Sequence, residues 1–317
     1  IPPRLSTMRT TVGLRFLYEY MNYDKQPINI DEQLALLQNR GLMIEDVATA
    51  KLQLRNISYF RIASYLRYIE QDRQHHLYKS GSTFEQAINL YLFDKDLRQL
   101  IFKAIQDIEI SLRTKMIQVF SMEHGAFWFM DSSLFKNAEF YEGCLDNIKK
   151  EVSRSNEDFI KEHSEKYTYP ALPPVWKTLE VVSFGTLSKL FCLFKDNRLK
   201  KQVAREFGLP QYTYLESWIR CITVLRNCCA HHARIWNRRF ALKPQLPNRL
   251  PLNWITPSQK PIKLYHQLCT LLYLEQTITP CMDLKSSLLK LLAEYSNVDL
   301  HAMGFPQGWE NEPLWKQ

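Results

Sequence analysis

One short segment in the second half of the chain gathers residue types that are suited to acid–base chemistry. Residues 226–234 read RNCCAHHAR and contain two arginines, two histidines and one asparagine. Histidine can transfer a proton near neutral pH, whereas arginine stays charged and binds phosphate through paired hydrogen bonds. Asparagine can orient either group. These types suit cleavage of a phosphodiester bond in RNA, where the adjacent 2′-hydroxyl attacks phosphorus and the protein supplies proton transfer and charge stabilisation.

The same residue types also have a purely structural interpretation, in which the histidines cap a helix and the arginine braces a loop. Arg226 and His231 are five positions apart, which places them about 140° apart on an ideal helix. Either the helix loosens near Ala230, or the two side chains reach a site from different directions, as a site between subunits would allow. Cys228 and Cys229 favour small-residue packing inside the helix, with redox control as the alternative.

Two long helical patterns must position this segment. The first covers 214–236. The second covers 84–122, contains neither Pro nor Gly, and is either one long helix or two with a small kink. On the second pattern Glu109 and Arg113 stand at i and i+4, the spacing of an intrahelical ion pair. The apolar positions that precede the segment recur at helical spacing; they are Leu215, Trp218, Ile219, Ile222 and Leu225.

The rest of the chain predicts an all-α protein, because strand signals are nearly absent. Only nine glycines in 317 residues argue against a β-sandwich, a P-loop or a dinucleotide-binding fold. We expect a peripheral arm over 1–29 and a single compact helical body over 30–317, divided into parts at 30–166 and 175–317. Further helices are predicted at 31–41, 45–53, 56–71, 141–165, 175–193, 197–207, 263–279 and 283–295. A proline-rich loop pinned by Trp254 and an irregular but packed tail over 303–315 complete this prediction.

The charge of the chain favours a polyanionic partner, since 41 basic and 33 acidic residues give a net charge of +8. Basic clusters flank the segment on both sides, and we expect them to follow an RNA backbone. Trp236 and Tyr214 could stack on bases, although core packing is the stronger interpretation of both. Arg67 has RNA binding and simple solvation as equal alternatives, as does Arg61. The residues predicted to contact RNA are Arg61, Lys200, Lys201, Arg238 and Arg239.

Other classes of site are not indicated. Seven cysteines without a C-x-x-C pair predict neither a zinc ribbon nor a disulfide framework and are typical of a reducing cytosol. No apolar run reaches the 18 to 20 residues or so that span a bilayer, and the first residues have no hydrophobic signal core. We therefore expect a cytoplasmic protein with no metal, no cofactor and no membrane partner.

Residues 226–231, R-N-x-x-x-H, resemble the R-x(4–6)-H signature of HEPN nucleases. The longer string R-N-x-x-A-H-H-x-R-x-W-N at 226–237 resembles the AbiD/AbiF type of abortive-infection (Abi) proteins. Three more segments resemble that family in order: 27–42, which opens PINIDEQ; 57–65, ISYFRIASY; and 303–315, which opens MGFP and ends PLW. The resemblance runs from about residue 25 to residue 316.

This resemblance implies an HEPN-like helical bundle with additional N-terminal helices and an irregular C-terminal tail. It implies metal-independent RNA cleavage by a homodimer, used in phage defence or as a toxin that a small RNA controls. Because the motif occurs once, the composite site needs a second copy of the chain. The alternative is an HEPN-like protein that holds a structured RNA without cleaving it.

The expected catalytic residues are Arg226, which stabilises the charge on phosphorus, His231, the general acid or base, and Asn227, which orients them. His232 also satisfies the spacing of the signature. The expected supporting residues are His232, Arg234 and Glu109.

Overall fold

The computed structural model describes residues 25–257, 262–278 and 283–316, together with two short strands, β1 (Leu5–Ser6) and β2 (Leu17–Tyr18), that pair antiparallel. The rest of the predicted arm before residue 25 lies outside the described residues. The fold is all-α, as predicted. By its internal contacts the chain divides into two units, Ile1–Phe93 and Asp94–Gln317. The single body predicted for 30–317 stays a prediction.

The first unit contains three short helices, α1 (Ile30–Asn39), α2 (Val47–Ile57) and α3 (Tyr59–Leu66), and a hairpin of β3 (Glu70–Asp72) and β4 (Leu77–Tyr78). The capping residue of α1 is Asn29. Its side chain accepts from the Glu32 backbone N–H while the Glu32 carboxylate accepts from that of Asn29, which makes a capping box. The helix predicted at 56–71 is shorter, because Ser58 adopts a positive φ and the hairpin begins at Glu70.

The long helix predicted at 84–122 is α4 (Phe84–His124), an unbroken helix of 41 residues. Its residues from Asp94 onward belong to the second unit. That unit also contains α5 (Ala138–Arg154), α6 (Asp158–Lys166), α7 (Val175–Val181), α8 (Phe184–Leu193), α9 (Asn197–Glu206), α10 (Tyr212–Ala230), α11 (Leu264–Glu275) and α12 (Leu284–Glu294).

Two predicted helices are each divided in the structure. The stretch 141–165 breaks between α5 and α6, and the stretch 175–193 breaks between α7 and α8. At the second break the Ser183 hydroxyl accepts a hydrogen bond from the Thr186 backbone N–H, which caps α8 and explains the new start.

The core of the second unit is built on α11, all of whose residues are buried. Trp254 is buried and stacks on Trp218, with ring centroids 5.3 Å apart, so the proline-rich loop is pinned to the core as predicted. The tail packs through Phe305 and Trp315 against Tyr265, which confirms an irregular but buried C-terminal segment. Among the helices within the described ranges, none combines the length and the hydropathy of a membrane-spanning segment.

Candidate functional site

The helix that carries the motif ends inside it. α10 ends at Ala230, six residues before the predicted end at 236, and a hydrogen-bonded turn follows it. The backbone N–H of His231 donates to the Asn227 carbonyl at 3.0 Å, that of His232 to Cys229 at 3.1 Å, and that of Ala233 to Cys228 at 2.8 Å. The last two bonds are those of a Schellman motif. The helix therefore stops at Ala230, and the histidines stand on a turn.

His232 occupies the position of this turn that glycine usually fills. Its φ is +54°, in the left-handed region that L-residues with a Cβ adopt at a cost of about 1 kcal/mol or more. Residues held in such conformations cluster at functional sites, where the surrounding contacts impose them. Contacts from α4 hold the chain where it leaves this turn.

Asp94, on α4, holds the chain immediately after the two histidines. Its carboxylate is completely buried and accepts hydrogen bonds from the backbone N–H of Trp236, at 2.6 Å, and of Ile235, at 3.2 Å. The same carboxylate pairs with the buried guanidinium of Arg98, which also donates to the Ala233 carbonyl at 3.5 Å. Asp94 and Arg98 thus bind the backbone of three residues at and just after the Schellman turn, Ala233, Ile235 and Trp236.

The side chain of Arg226 lies on the other side of the motif, against α4. Its guanidinium carbon is 5.7 Å from the centre of the Phe102 ring, a cation–π distance, and its buried Nε has no hydrogen-bond partner among the described residues. Arg226 lines a cavity of about 240 Å³. The other lining residues all belong to α4; they are Phe102, Ile105, Gln106, Glu109, Ile110 and Arg113.

Glu109 and Arg113 form the ion pair that their spacing predicted, with Oε1 and Nη2 3.1 Å apart. Arg113 is buried and also reaches Glu180 at 3.5 Å and the Val182 carbonyl at 3.3 Å. Burial raises the pKa of Glu109, and the charges of Arg113 and Arg226 oppose that rise. Glu109 is therefore both part of an intrahelical pair and an electrostatic neighbour of Arg226.

The predicted catalytic residues do not all line the same cavity. Arg226 is half-buried in the cavity, whereas Asn227, His231 and His232 are exposed and are not among its lining residues. The structure therefore brings Arg226 together with Glu109. Of the two alternatives that the five-residue spacing left open, the helix does end at Ala230, before His231. The approach of the two side chains to one site from different directions stays a prediction.

The predicted RNA-binding cations differ widely in exposure. Arg239 is exposed, and Lys201 is half-buried. Arg238 is half-buried, and its guanidinium carbon lies 5.9 Å from the centre of the Phe240 ring. Arg61 is exposed in the first unit.

The prediction that Lys200 contacts RNA is wrong. Lys200 is completely buried, and its ammonium group is 2.6 Å from Glu216, so its charge is not offered to an external phosphate.

Four other residues of the segment 226–237 have positions that the structure explains. Trp236 is completely buried, which confirms core packing for that ring. Cys228 and Cys229 are buried as well, and burial raises the pKa of Cys229 to about 12, in keeping with packing rather than with a reactive thiolate. Arg234 is half-buried, and its carbonyl accepts from Arg238 at 3.4 Å.

Asp94 and Arg98 were not recognised from the sequence. A signal was present: both charges stand on the apolar stripe of α4 with Leu97 and Ile101, at positions i and i+4. Charged residues on a buried stripe are rare unless they are paired, and such a pair indicates a partner elsewhere in the chain.

A family model described as "Abi-like protein" matches residues 52–237, which is more than half of the chain. The match begins in α2 and ends at Asn237, so it includes α4, the end of α10 and the turn that Asp94 holds. No curated protein and no solved structure matches the chain.

Proposed function

This chain belongs to the family of Abi-like proteins, and from that premise we propose that it is a metal-independent endoribonuclease of the HEPN superfamily, AbiD/AbiF type, acting in abortive infection. The description of the family supports the role in defence. Two residues support the reaction class: Arg226, a half-buried cation in a cavity, and His231, an exposed imidazole on the turn that follows α10. We place the protein in the bacterial cytoplasm, with a small RNA as its controlling partner.

In this reaction His231 moves the proton and Arg226 stabilises the charge that develops on the phosphorus oxygens. A ribose 2′-hydroxyl loses its proton and attacks the adjacent phosphorus, and the 5′-oxygen of the next nucleotide leaves with a proton. The products are a 2′,3′-cyclic phosphate and a 5′-hydroxyl. Asn227, the exposed residue after Arg226, orients the side chains of Arg226 and His231.

The separation of Arg226 from His231 fits a site shared by two copies of the chain. One copy supplies the arginine and the other the histidine, which a two-fold axis at the motif would allow. Glu109 keeps Arg226 in place through its charge, since the two groups interact across the cavity.

The first experiment measures cleavage of unstructured RNA in excess EDTA and analyses the product ends. We expect 2′,3′-cyclic phosphate ends from the wild type and a loss of at least about 100-fold for Arg226→Ala and His231→Ala. Arg205→Ala and His301→Ala, which remove exposed residues of the same two types, are the controls. Wild-type rates in Arg226→Ala and His231→Ala would remove both residues from the mechanism.

The shared site has its own test. If each site takes Arg226 from one copy and His231 from the other, a mixture of the two inactive variants forms dimers that hold one intact site. An equimolar mixture should then recover about a quarter of the wild-type activity, because half of the dimers are mixed and each has one of its two sites restored. No recovery in the mixture, or sedimentation of a monomer both free and RNA-bound, would contradict the shared site.

A second candidate function is RNA binding without cleavage. The observation that favours it is that His231 does not line the cavity that Arg226 enters. In that case the protein would bind a structured RNA in a strongly salt-dependent manner and would leave every RNA intact.

A further inference from the structure

One face of the first unit carries a concentration of positive charge. Between residues 47 and 69, which include α2 and α3, there are four cations and neither Asp nor Glu. Lys51 pairs with Asp31 at 2.5 Å. The other three cations, Arg55, Arg61 and Arg67, are exposed. A local excess of this kind favours a polyanion, but exposed arginines alone are common on solvated helices, so the charge needs a second observation beside it.

The second observation is an exposed aromatic ring among these arginines. Phe60, in the first turn of α3, is 88% exposed. It is seven positions before Arg67, which places the two about 20° apart around the helix, on the same face. Arg61, the next residue, is about 100° away around the helix, at the edge of that face. This side of α3 therefore presents an exposed aromatic ring together with guanidinium groups, the combination with which proteins bind unpaired bases and their phosphates.

The backbone holds Phe60 in this exposed position. Ser58 has a φ of +71° and both ends α2, by donating its N–H to the Leu54 carbonyl at 3.1 Å, and begins α3. Its hydroxyl accepts from the Arg61 N–H at 3.4 Å. Ile62 and Tyr65 are buried on the opposite side of α3 and anchor the helix. Phe60 thus stands on a packed helix rather than on a loop. Less conformational entropy is therefore lost when this part of the protein binds a ligand.

We propose that the surface formed by Phe60, Arg61 and Arg67, here called the Phe60 face, is a docking surface for single-stranded RNA. The ring stacks on a base and the arginines contact phosphates. The strand must be unpaired there, because the bases of a duplex are already stacked on each other. That the polynucleotide is RNA rests on the proposed function.

Charge distinguishes this partner from a second copy of the chain. A two-fold contact through Phe60 would place the arginines of both copies opposite each other, with no carboxylate between residues 47 and 69 to offset them. Like charges facing each other across an interface cost several kcal/mol. A polyphosphate strand is complementary to the same arginines.

The experiment measures binding by the full chain separately from cleavage. The probe is a fluorescein-labelled strand of about twelve 2′-O-methyl uridines, which lacks the hydroxyl that the proposed reaction needs. Phe60→Ala should weaken binding about tenfold, and Phe60→Trp should bind at least as tightly as the wild type. Arg61→Ala and Arg67→Ala should each reduce the slope of log affinity against log salt by about 0.7. Leu77→Ala and Arg73→Ala, which change exposed residues of the hairpin in the same unit, should leave affinity and slope unchanged.

Three results would overturn the proposal. The first is that Phe60→Ala, Arg61→Ala and Arg67→Ala bind the probe like the wild type. The second is that poly-glutamate displaces the probe as effectively as the unlabelled strand, which would indicate an acidic protein partner. The third is that Phe60→Ala separates a dimer in sedimentation, which would indicate a second copy. If the protein binds the probe through Phe60 but cleaves no RNA, the proposed function is refuted and the proposal for the Phe60 face is supported. If it cleaves RNA and Phe60→Ala does not change binding of the probe, the proposed function is supported and the proposal for the Phe60 face is refuted.

Discussion

The carboxylate of Asp94 accepts a hydrogen bond of 2.6 Å from the backbone N–H of Trp236, 142 residues later in the chain. Through this bond α4 holds the chain that follows the Schellman turn at the end of α10. The Ile235 N–H and the Arg98 guanidinium complete the contacts of the same carboxylate. Because the carboxylate is fully buried, each of these donors would be left in a poorly solvated site without it.

Asp94→Asn should therefore destabilise the protein strongly and lower cleavage. The variant leaves the buried Arg98 guanidinium without its counter-charge, a change that typically costs about 3 to 5 kcal/mol. The free energy of unfolding in urea measures this loss, and Asp146→Asn, at an exposed pair with Lys149, should cost no more than about 0.5 kcal/mol. A loss for Asp94→Asn as small as that of the control would show that Asp94 does not hold the turn.

His232→Gly should stabilise the protein by about 1 kcal/mol, because glycine adopts the left-handed φ of that position without the Cβ penalty. The same variant should keep the proposed cleavage if His231 is the proton-transfer group, whereas His231→Ala should lose it. Asn237→Gly is the control: Asn237 also has a positive φ, but asparagine tolerates it and its side chain accepts from Lys263 at 3.1 Å. A fall in stability for His232→Gly would mean that the contacts of the His232 side chain outweigh the backbone strain, and loss of cleavage would assign proton transfer to His232.

The sequence predicts the helical class and the long helices well, because periodicity and proline or glycine breaks are local signals. The extent of α4 was predicted in this way, with one helix or two as the alternatives, and the structure has one. The end of α10 was not predicted, since apolar spacing continues through Ile235 and Trp236, and those two residues are held by Asp94, far away in the chain. The hairpin after α3 was missed for a related reason: β3 and β4 are three and two residues long and carry no clear alternation.

The candidate site shows the same division between local and distant information. The pairing of Glu109 with Arg113 follows from spacing on one helix, and it is present in the structure. The cavity that contains Arg226 and the burial of Lys200 depend on contacts between helices, which no window of the sequence contains. The catalytic roles of Arg226, Asn227 and His231 stay predictions.

Lys200→Ala should lower the free energy of unfolding far more than Lys201→Ala, although the two residues are adjacent. Lys200→Ala removes the partner of Glu216 and the cation over the Tyr212 ring, so it should lower the free energy of unfolding by about 3 kcal/mol or more. Lys201→Ala changes a half-buried surface residue and should cost less than about 0.5 kcal/mol. Thermal and urea unfolding measure both. The double variant Lys200→Met, Glu216→Gln should recover much of the lost free energy of unfolding, because replacing a whole buried pair costs little. Equal stability of Lys200→Ala and Lys201→Ala would refute the burial of the Lys200 charge.

The stability of the protein should fall as pH is lowered from about 6.5 to about 4 because of His266. This histidine is buried in α11, and burial lowers its pKa to about 4. Between its folded pKa and the value of about 6.5 in the unfolded chain, the unfolded state binds more protons, so acid favours unfolding. The contribution is fully present above about 6.5 and decreases by about 3 kcal/mol by pH 4. Urea unfolding across this range should show the decrease for the wild type and a smaller one for His266→Gln. The control is His301→Gln, which removes an exposed histidine of the same unit, and an identical pH dependence for both variants would show that His266 is not the group responsible.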